Sequence, residues 1–205
     1  MPGGFKVKHV VRLIAVIAAL AAGPVLAADK AQTFAIDHVL GKDDAPITII
    51  EYASTTCGHC ATFHKTVLPD IQKDWIDTGK AKLVYRDFPT APGGLSVGAS
   101  MIAHCAGPER YFGVLGLIMD KQEVWLGSNN PLDSLKKLVR LAGMTGEDVD
   151  ACLGRRDLAA DIQARAQAGS DAFDVHSTPT VIINGKIIEG VRPDEIQAAL
   201  KAAAR

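Results

Sequence analysis

The sequence carries no strong charge of either sign. Its 22 Lys and Arg nearly balance 23 Asp and Glu, for a net charge of −1. It therefore lacks the basic surplus with which a nucleic-acid-binding domain meets phosphates. Tandem repeats, low-complexity tracts and long charge blocks are also missing, which argues against solenoid and linker-rich architectures. Cysteine is sparse, with four in 205 residues. That is too few for a small fold stapled by disulfides in place of a core. A composition that is 48% hydrophobic and 22% charged is ordinary for a globular chain. The length suits one compact domain, or a core carrying one inserted subdomain.

The first residues read as a targeting segment. Lys6, Lys8, His9 and Arg12 make a positive start, and no acidic residue precedes Asp29. Leu13 to Leu26 is an apolar run broken by Gly23 and Pro24, short for a membrane span of about 20 residues. Val25-Leu26-Ala27 offers small side chains to a signal peptidase, so residues 1–27 are expected to be a cleaved signal peptide and not an anchor. Without its three basic residues the remainder has 19 Lys and Arg against 23 Asp and Glu, a net charge of −4. All four cysteines, Cys57, Cys60, Cys105 and Cys152, follow this segment. In an oxidising compartment they are expected as disulfides or redox centres.

Along the rest of the chain, periodicity and turn residues predict an α/β order. Phe34 to Leu40 is a short candidate strand. Ile47 to Ala53 is a nearly continuous apolar strand of buried type with one anomaly, Glu51. A helix is expected from Cys57 towards Thr78, bent at Pro69 and stopped by Gly79. Ala81 to Phe88 is the next strand. The pattern is then helical to about Asp174, with segments near 94–106, 108–124, 131–142, 145–153 and 157–173. Thr145 with Asp148 resembles a capping box. Thr180 to Ile183 and Lys186 to Glu189 flank Asn184-Gly185, a hairpin turn signal, and a helix starts at Pro193. The expectation is an α/β core in two halves, residues 28–88 and 175–205, with an all-helical insertion over 89–174.

Cys57-Gly58-His59-Cys60 follows a buried strand and opens a helix. There the first sulfur meets unpaired backbone N–H groups and the positive end of the helix dipole, which favour the nucleophilic thiolate. Cys60, one turn deeper, can resolve a mixed disulfide. His59 lies between them, either assisting the Cys57 thiolate or simply exposed. Ser177-Thr178-Pro179-Thr180 leads into an apolar strand, so Pro179 is either a cis-proline or an ordinary trans proline at a strand start. Cys105 and Cys152 fall in two different insertion helices and read as a structural disulfide in an exported protein, with two separate thiols as the alternative.

Together, E-Y-A-S-T-T-C-G-H-C, S-T-P-T-V-I-I-N-G and the helices between them resemble the DsbA-type family of thioredoxin-fold disulfide oxidoreductases, across essentially the whole chain after residue 27. The resemblance implies a thioredoxin-like fold with a helical insertion, in a periplasmic enzyme that donates disulfides to reduced secreted polypeptides. It implies Cys57 as nucleophile, Cys60 as resolving partner, His59 as thiolate stabiliser, and Thr178 with Pro179 as the cis-proline pair. Glu51 would be an acid that relays the proton of Cys60; its alternative is a strand-edge position facing water. A membrane quinone-linked enzyme is implied as the reoxidising partner, and no cofactor. The Gly-His dipeptide, shared with eukaryotic disulfide isomerases, keeps isomerase or reductase activity as an alternative, while the absence of a helical stalk favours a monomer. A thiolate site for Zn or Cu(I), built from Cys57, Cys60 and His64, is the rival class, and no second Cys-x-x-Cys follows to complete it. His38, His64, His104 and His176 read as structural, and Trp75, Trp125, Tyr111 and Phe112 as packing residues.

Overall fold

The computed structural model describes Met1 and residues 37–205. The expected signal segment and residues 34–36 of the expected first strand lie outside this range. Within it, the apolar, β-branched runs form a five-stranded sheet ordered β1-β3-β2-β4-β5. The strands are β1 (His38–Leu40), β2 (Ile47–Ala53), β3 (Ala81–Asp87), β4 (Thr180–Ile183) and β5 (Lys186–Glu189). β2 and β3 are parallel, and the remaining pairs are antiparallel. Asn184 and Gly185 turn the last hairpin with φ of 47° and 81°, the double positive φ that a tight two-residue hairpin requires.

The period of two along β2 sorts its residues between two helical layers. Ile47 and Ile49 face one side, with Phe63 of α1 (Gly58–Thr66), Ile71 of α2 (Leu68–Ile71), and Ile196 and Leu200 of α9 (Pro193–Ala203). Ile50 and Tyr52 face the other, against Val84, Ile182, Val175 and Phe173 at the end of α8 (Arg156–Phe173). Central position and two covered faces explain why β2 reads as a continuous apolar run. Gly169 of α8 lies directly against the Tyr52 ring, and a Cβ there would overlap it. The glycine sets how closely α8 seats on the sheet.

Between β3 and β4 lie α3 (Gly93–Cys105), α4 (Tyr111–Asp120), α5 (Gln122–Leu126), α6 (Pro131–Val139), α7 (Gly146–Leu153) and α8. Their shared core includes Ile102, Val114, Ile118, Trp125, Leu135 and Val139. Cys105 is bonded to Cys152, joining the end of α3 to α7. Thr145 and Asp148 form a reciprocal capping box at the start of α7.

Three helices differ from the expected runs. The helix after Cys57 ends at Thr66 and restarts at Leu68, where Pro69 stands in the first turn. It then widens into a π-helical turn over Gln72–Ile76, whose Trp75 donates its indole N–H to Gln197 of α9. The 108–124 run starts only at Tyr111 and is divided at Lys121 into α4 and α5. Leu141 closes the apolar stripe of α6 in the sequence yet is 80% exposed. The reason is that the chain tightens into a 3-10 turn at Arg140–Ala142, which rotates Leu141 off the buried face.

A buried charged cluster joins the sheet to the insertion. Arg86 of β3 donates to Asp37 and to the Tyr52 hydroxyl, while Arg165 of α8 donates to Asp87 and Asp37. His104 of α3 lies with Nε2 2.8 Å from the Asp87 carboxylate and Nδ1 3.0 Å from Nε2 of His38. Burial and the neighbouring His104 and Arg165 hold His38 down at about 4. His38 also stacks on Tyr111 at 3.7 Å.

Replacing Gly169 by Ala is expected to destabilise the fold by about 1–3 kcal/mol through overpacking, read as a lower denaturant midpoint at unchanged slope. An unchanged midpoint would show that α8 can lift from Tyr52 without cost.

Candidate active site

Strand β2 ends at Ala53, and Ser54-Thr55-Thr56 carries the chain to the first turn of α1. Those three hydroxyl residues are buried, and their polar groups are satisfied within the loop and by the insertion. Ser54 Oγ bonds Ser96 Oγ at 2.8 Å and accepts from the Thr90 backbone N–H. Thr55 donates to the Ser96 carbonyl, and Thr56 approaches Thr90. From the start of α5, the fully buried Gln122 amide donates to the carbonyls of both Thr55 and Cys57, at 2.9 and 3.0 Å. The loop before the cysteines is thus fixed from beneath by α3 and from the side by α5.

Cys57 is the N-cap of α1, half-buried, with extended backbone. Its Sγ lies 3.4 Å from the Thr178 carbonyl oxygen, and the Thr178–Pro179 peptide bond is cis. Cys60 is fully buried one turn on, its Sγ facing the Ser54 backbone N–H at 3.5 Å. The two sulfurs are unbonded, so this is the dithiol form.

Their environments pull the two thiols apart. A hydrogen bond from the Cys60 thiol brings Cys57 from its ordinary 9.0 down to about 5, against a burial cost; the Thr178 side chain and the backbone N–H groups of Cys60 and His59 add to the pull. Burial pushes Cys60 far above its ordinary value, and its role as donor to Cys57 and the charge of Glu51 push it further. One sulfur is an anion near neutrality and the other stays a thiol. This is what separates an attacking nucleophile from a group that needs a proton when it leaves.

The other expected residues are placed as follows. His59 is exposed, and the group it turns toward the Cys57 sulfur is its backbone N–H. Glu51 is fully buried in the central strand, so the alternative of an edge position facing water does not hold. Its parity with Ile47 and Ile49 turns it to the face covered by α1, where its carboxylate is bonded at 3.1 and 3.2 Å by Nε2 of His64. His64 is thereby engaged with Glu51. Among the described residues no group of three or more His, Cys, Asp or Glu side chains gathers as a metal site. Gln122 and Ser96 carry no sequence signal of their own, since a buried amide and a buried hydroxyl look like any others until the loop they bind is known.

Comparison with known proteins places this geometry. The family profile described as Thioredoxin matches residues 34–202. The chain belongs to the thioredoxin family, in its DsbA type. A Rickettsia bellii relative that bears a protein-disulfide oxidoreductase name is 33% identical over 175 residues, covering 83% of this chain and 67% of that protein. For a similar Rickettsia prowazekii relative the match covers 64% of its length, so the chain spans about two thirds of these curated relatives. Disulfide bond formation protein D of Bacillus subtilis is 26% identical, covering 80% of this chain and 75% of that one. Among solved structures, alpha-DsbA1 of Wolbachia pipientis superposes with a TM-score of 0.76 at 25% identity, over 84% of this chain and 92% of that one.

The thiolate absorbance of the reduced protein is expected to titrate with a midpoint near 5, carried by Cys57. The sign follows from linkage. A thiol whose folded value lies below its unfolded value stabilises the reduced fold fully above about pH 9, and this is lost as pH falls through about 5. Cys60, shifted upward, contributes nothing in that window. A midpoint above about 7 would contradict the assignment of Cys57 as the stabilised thiolate.

Proposed function

We propose that the protein is a periplasmic thiol–disulfide oxidoreductase that donates the Cys57–Cys60 disulfide to reduced secreted polypeptides. The opposed environments of the two sulfurs, one capping α1 and one sealed beneath it, carry this reading. Stabilising the Cys57 thiolate stabilises the dithiol form, and a stable dithiol makes the disulfide form a stronger oxidant.

In the donating direction, a substrate thiolate attacks Cys57 Sγ of the disulfide. The Cys57–Cys60 bond breaks and its electron pair goes to Cys60, which takes up a proton because a thiolate is disfavoured in its buried site. A second substrate thiolate then attacks the substrate sulfur of the mixed disulfide and Cys57 leaves as the stabilised thiolate. The substrate is oxidised by two electrons, and the protein is reduced to the dithiol. Thr178, cis to Pro179, presents its carbonyl beside Cys57 and forms one wall against which an extended polypeptide is held. Glu51 serves Cys60 as the buried acid, and His59 stabilises the Cys57 thiolate through its backbone N–H. The dithiol is returned to the disulfide by a second redox protein, for which a membrane quinone-linked enzyme is the proposed partner. Among the described residues no helix is long and apolar enough to cross a membrane, and the apolar run at 13–26 is proposed as an export signal.

The redox equilibrium of Cys57–Cys60 in glutathione buffers tests the reading. A potential well above the glutathione range, about −220 mV and lower, is expected for a donor. A value within or below that range would replace it with the reductase or isomerase alternative. Changing Glu51 to Gln is expected to slow the release of Cys60 from the disulfide by at least about tenfold. Unchanged exchange kinetics would remove Glu51 from the mechanism.

A further inference from the structure

The buried pair Cys60 and Glu51 needs a route by which protons reach solvent, because neither side chain is exposed. Cys60 and His64 stand four residues apart on α1, on the same helical face, and that face covers the sheet side to which Glu51 points. His64 Nε2 meets both Glu51 oxygens, and its side chain retains 6% exposure. That remnant opens into a groove of about 460 Å³ between α1–α2 and α4, lined by His64, Lys65, Leu68, Phe112, Gly116 and Asp120 among others. The groove is separate from the surface where Cys57 and Thr178 face outward.

We propose that His64 is the outlet of a proton path for the resolving cysteine, running from solvent in this groove through the imidazole and the Glu51 carboxyl to Cys60 Sγ. This rests on the disulfide-donor reading above and adds a second entrance to the site. As the disulfide opens and Cys60 takes the electron pair, the Glu51 carboxylate takes the Nε2–H proton of the His64 imidazolium and passes it to the sulfur. Glu51 is left a carboxylate, and the ring is reprotonated from water. On reoxidation every transfer reverses, and the Cys60 proton leaves by the same way. Protons then enter on one side of α1 while the polypeptide thiol attacks on the other, so a bound substrate does not block proton exchange.

An imidazole suits this position. It titrates near neutrality, where neither a carboxylate nor an ammonium group ordinarily exchanges protons, and it both takes and gives one through the same ring. The groups that face it are Glu51 from β2, the Tyr85 ring edge from β3 at 5.9 Å, Lys65 beside it on α1, and Asp120 from α4 across the groove. Glu51 is the one hydrogen-bonded to it.

The test follows reduction of the full-length, oxidised protein by dithiothreitol between pH 5 and 8, in wild type, His64→Ala and His64→Gln. Wild type is measured first. If it exchanges no disulfide, the donor reading itself fails, whatever His64 does. If it exchanges, His64→Ala is expected to be slowed at least about tenfold and to lose the wild-type pH profile. Free imidazole is expected to restore the rate in proportion to its concentration, since the deletion leaves space continuous with the groove. His64→Gln keeps a donor to Glu51 but cannot titrate, and it is expected to stay as slow as the alanine variant. Wild-type rates in either variant, or an alanine variant that is slow but indifferent to imidazole, would overturn the proposal and leave His64 a packing partner of Glu51. Should His64→Ala fail to fold, the rate of His64→Gln decides alone.

Discussion

Helix α1 starts at Gly58, so Cys57 caps it at the surface while Cys60, three residues later, is sealed in the core. That single turn of helix sets the electrostatics of the whole site. At the cap, backbone N–H groups without helical partners point at a sulfur that still touches solvent, and the anion is favoured. One turn deeper the same charge would lie among apolar side chains beside a carboxylate, and the neutral thiol is favoured. The Cys60 thiol then donates to Cys57, so the burial of one sulfur directly helps to stabilise the charge on the other. Oxidation removes both advantages at once, because the disulfide has neither an anion to stabilise nor a donor to offer.

The insertion between β3 and β4 does more than enlarge the core. Gln122 at the start of α5 holds the carbonyls of Thr55 and Cys57, and Ser96 on α3 holds the hydroxyls of Ser54 and Thr55. Helix registry within the insertion is thereby transmitted to the loop that aims Cys57. The same insertion is locked to the sheet by Arg165, His104, Asp87 and Arg86, ionic or polar groups that are costly to bury singly and are bonded together here as a network. The Cys105–Cys152 bond ties α3, which carries both Ser96 and His104, to α7. Positioning of the reactive loop and cohesion of the insertion therefore depend on the same helix.

Much of this was readable from local pattern. The strand before Cys57, the Asn-Gly hairpin, the capping box at Thr145 and the helical stretch between the two halves of the core each rest on short-range rules, and Glu51 stood out because it broke an apolar run. The chemistry of Cys57 and Cys60 was legible for the same reason, since strand, cysteine pair and helix start are contiguous. What was illegible depends on distance along the chain. Arg165 meets Asp87 across 78 positions, and nothing near either residue marks the partner. In Ala81 to Phe88, nothing in the run itself marks Arg86 and Asp87 as buried. His64 read as one more structural or metal-binding histidine. Only the parity of β2 against the turn of α1 shows that it faces Glu51.

The Gly-His dipeptide can be weighed on the same terms. Gly58 does not adopt a positive φ, and a Cβ there would come no closer than 4.0 Å to its neighbour, Gln122 Oε1, so neither backbone nor packing demands a glycine. The groups that draw Cys57 down are the Cys60 thiol, the Thr178 side chain and two backbone N–H groups, and none of them is the side chain of residue 58. Replacing Gly58 would alter chain entropy and the stiffness of the first turn, leaving those donors in place. The downward shift of Cys57 is accordingly a property of the helix start and of the buried partner sulfur, and the side chain of residue 58 supplies none of it.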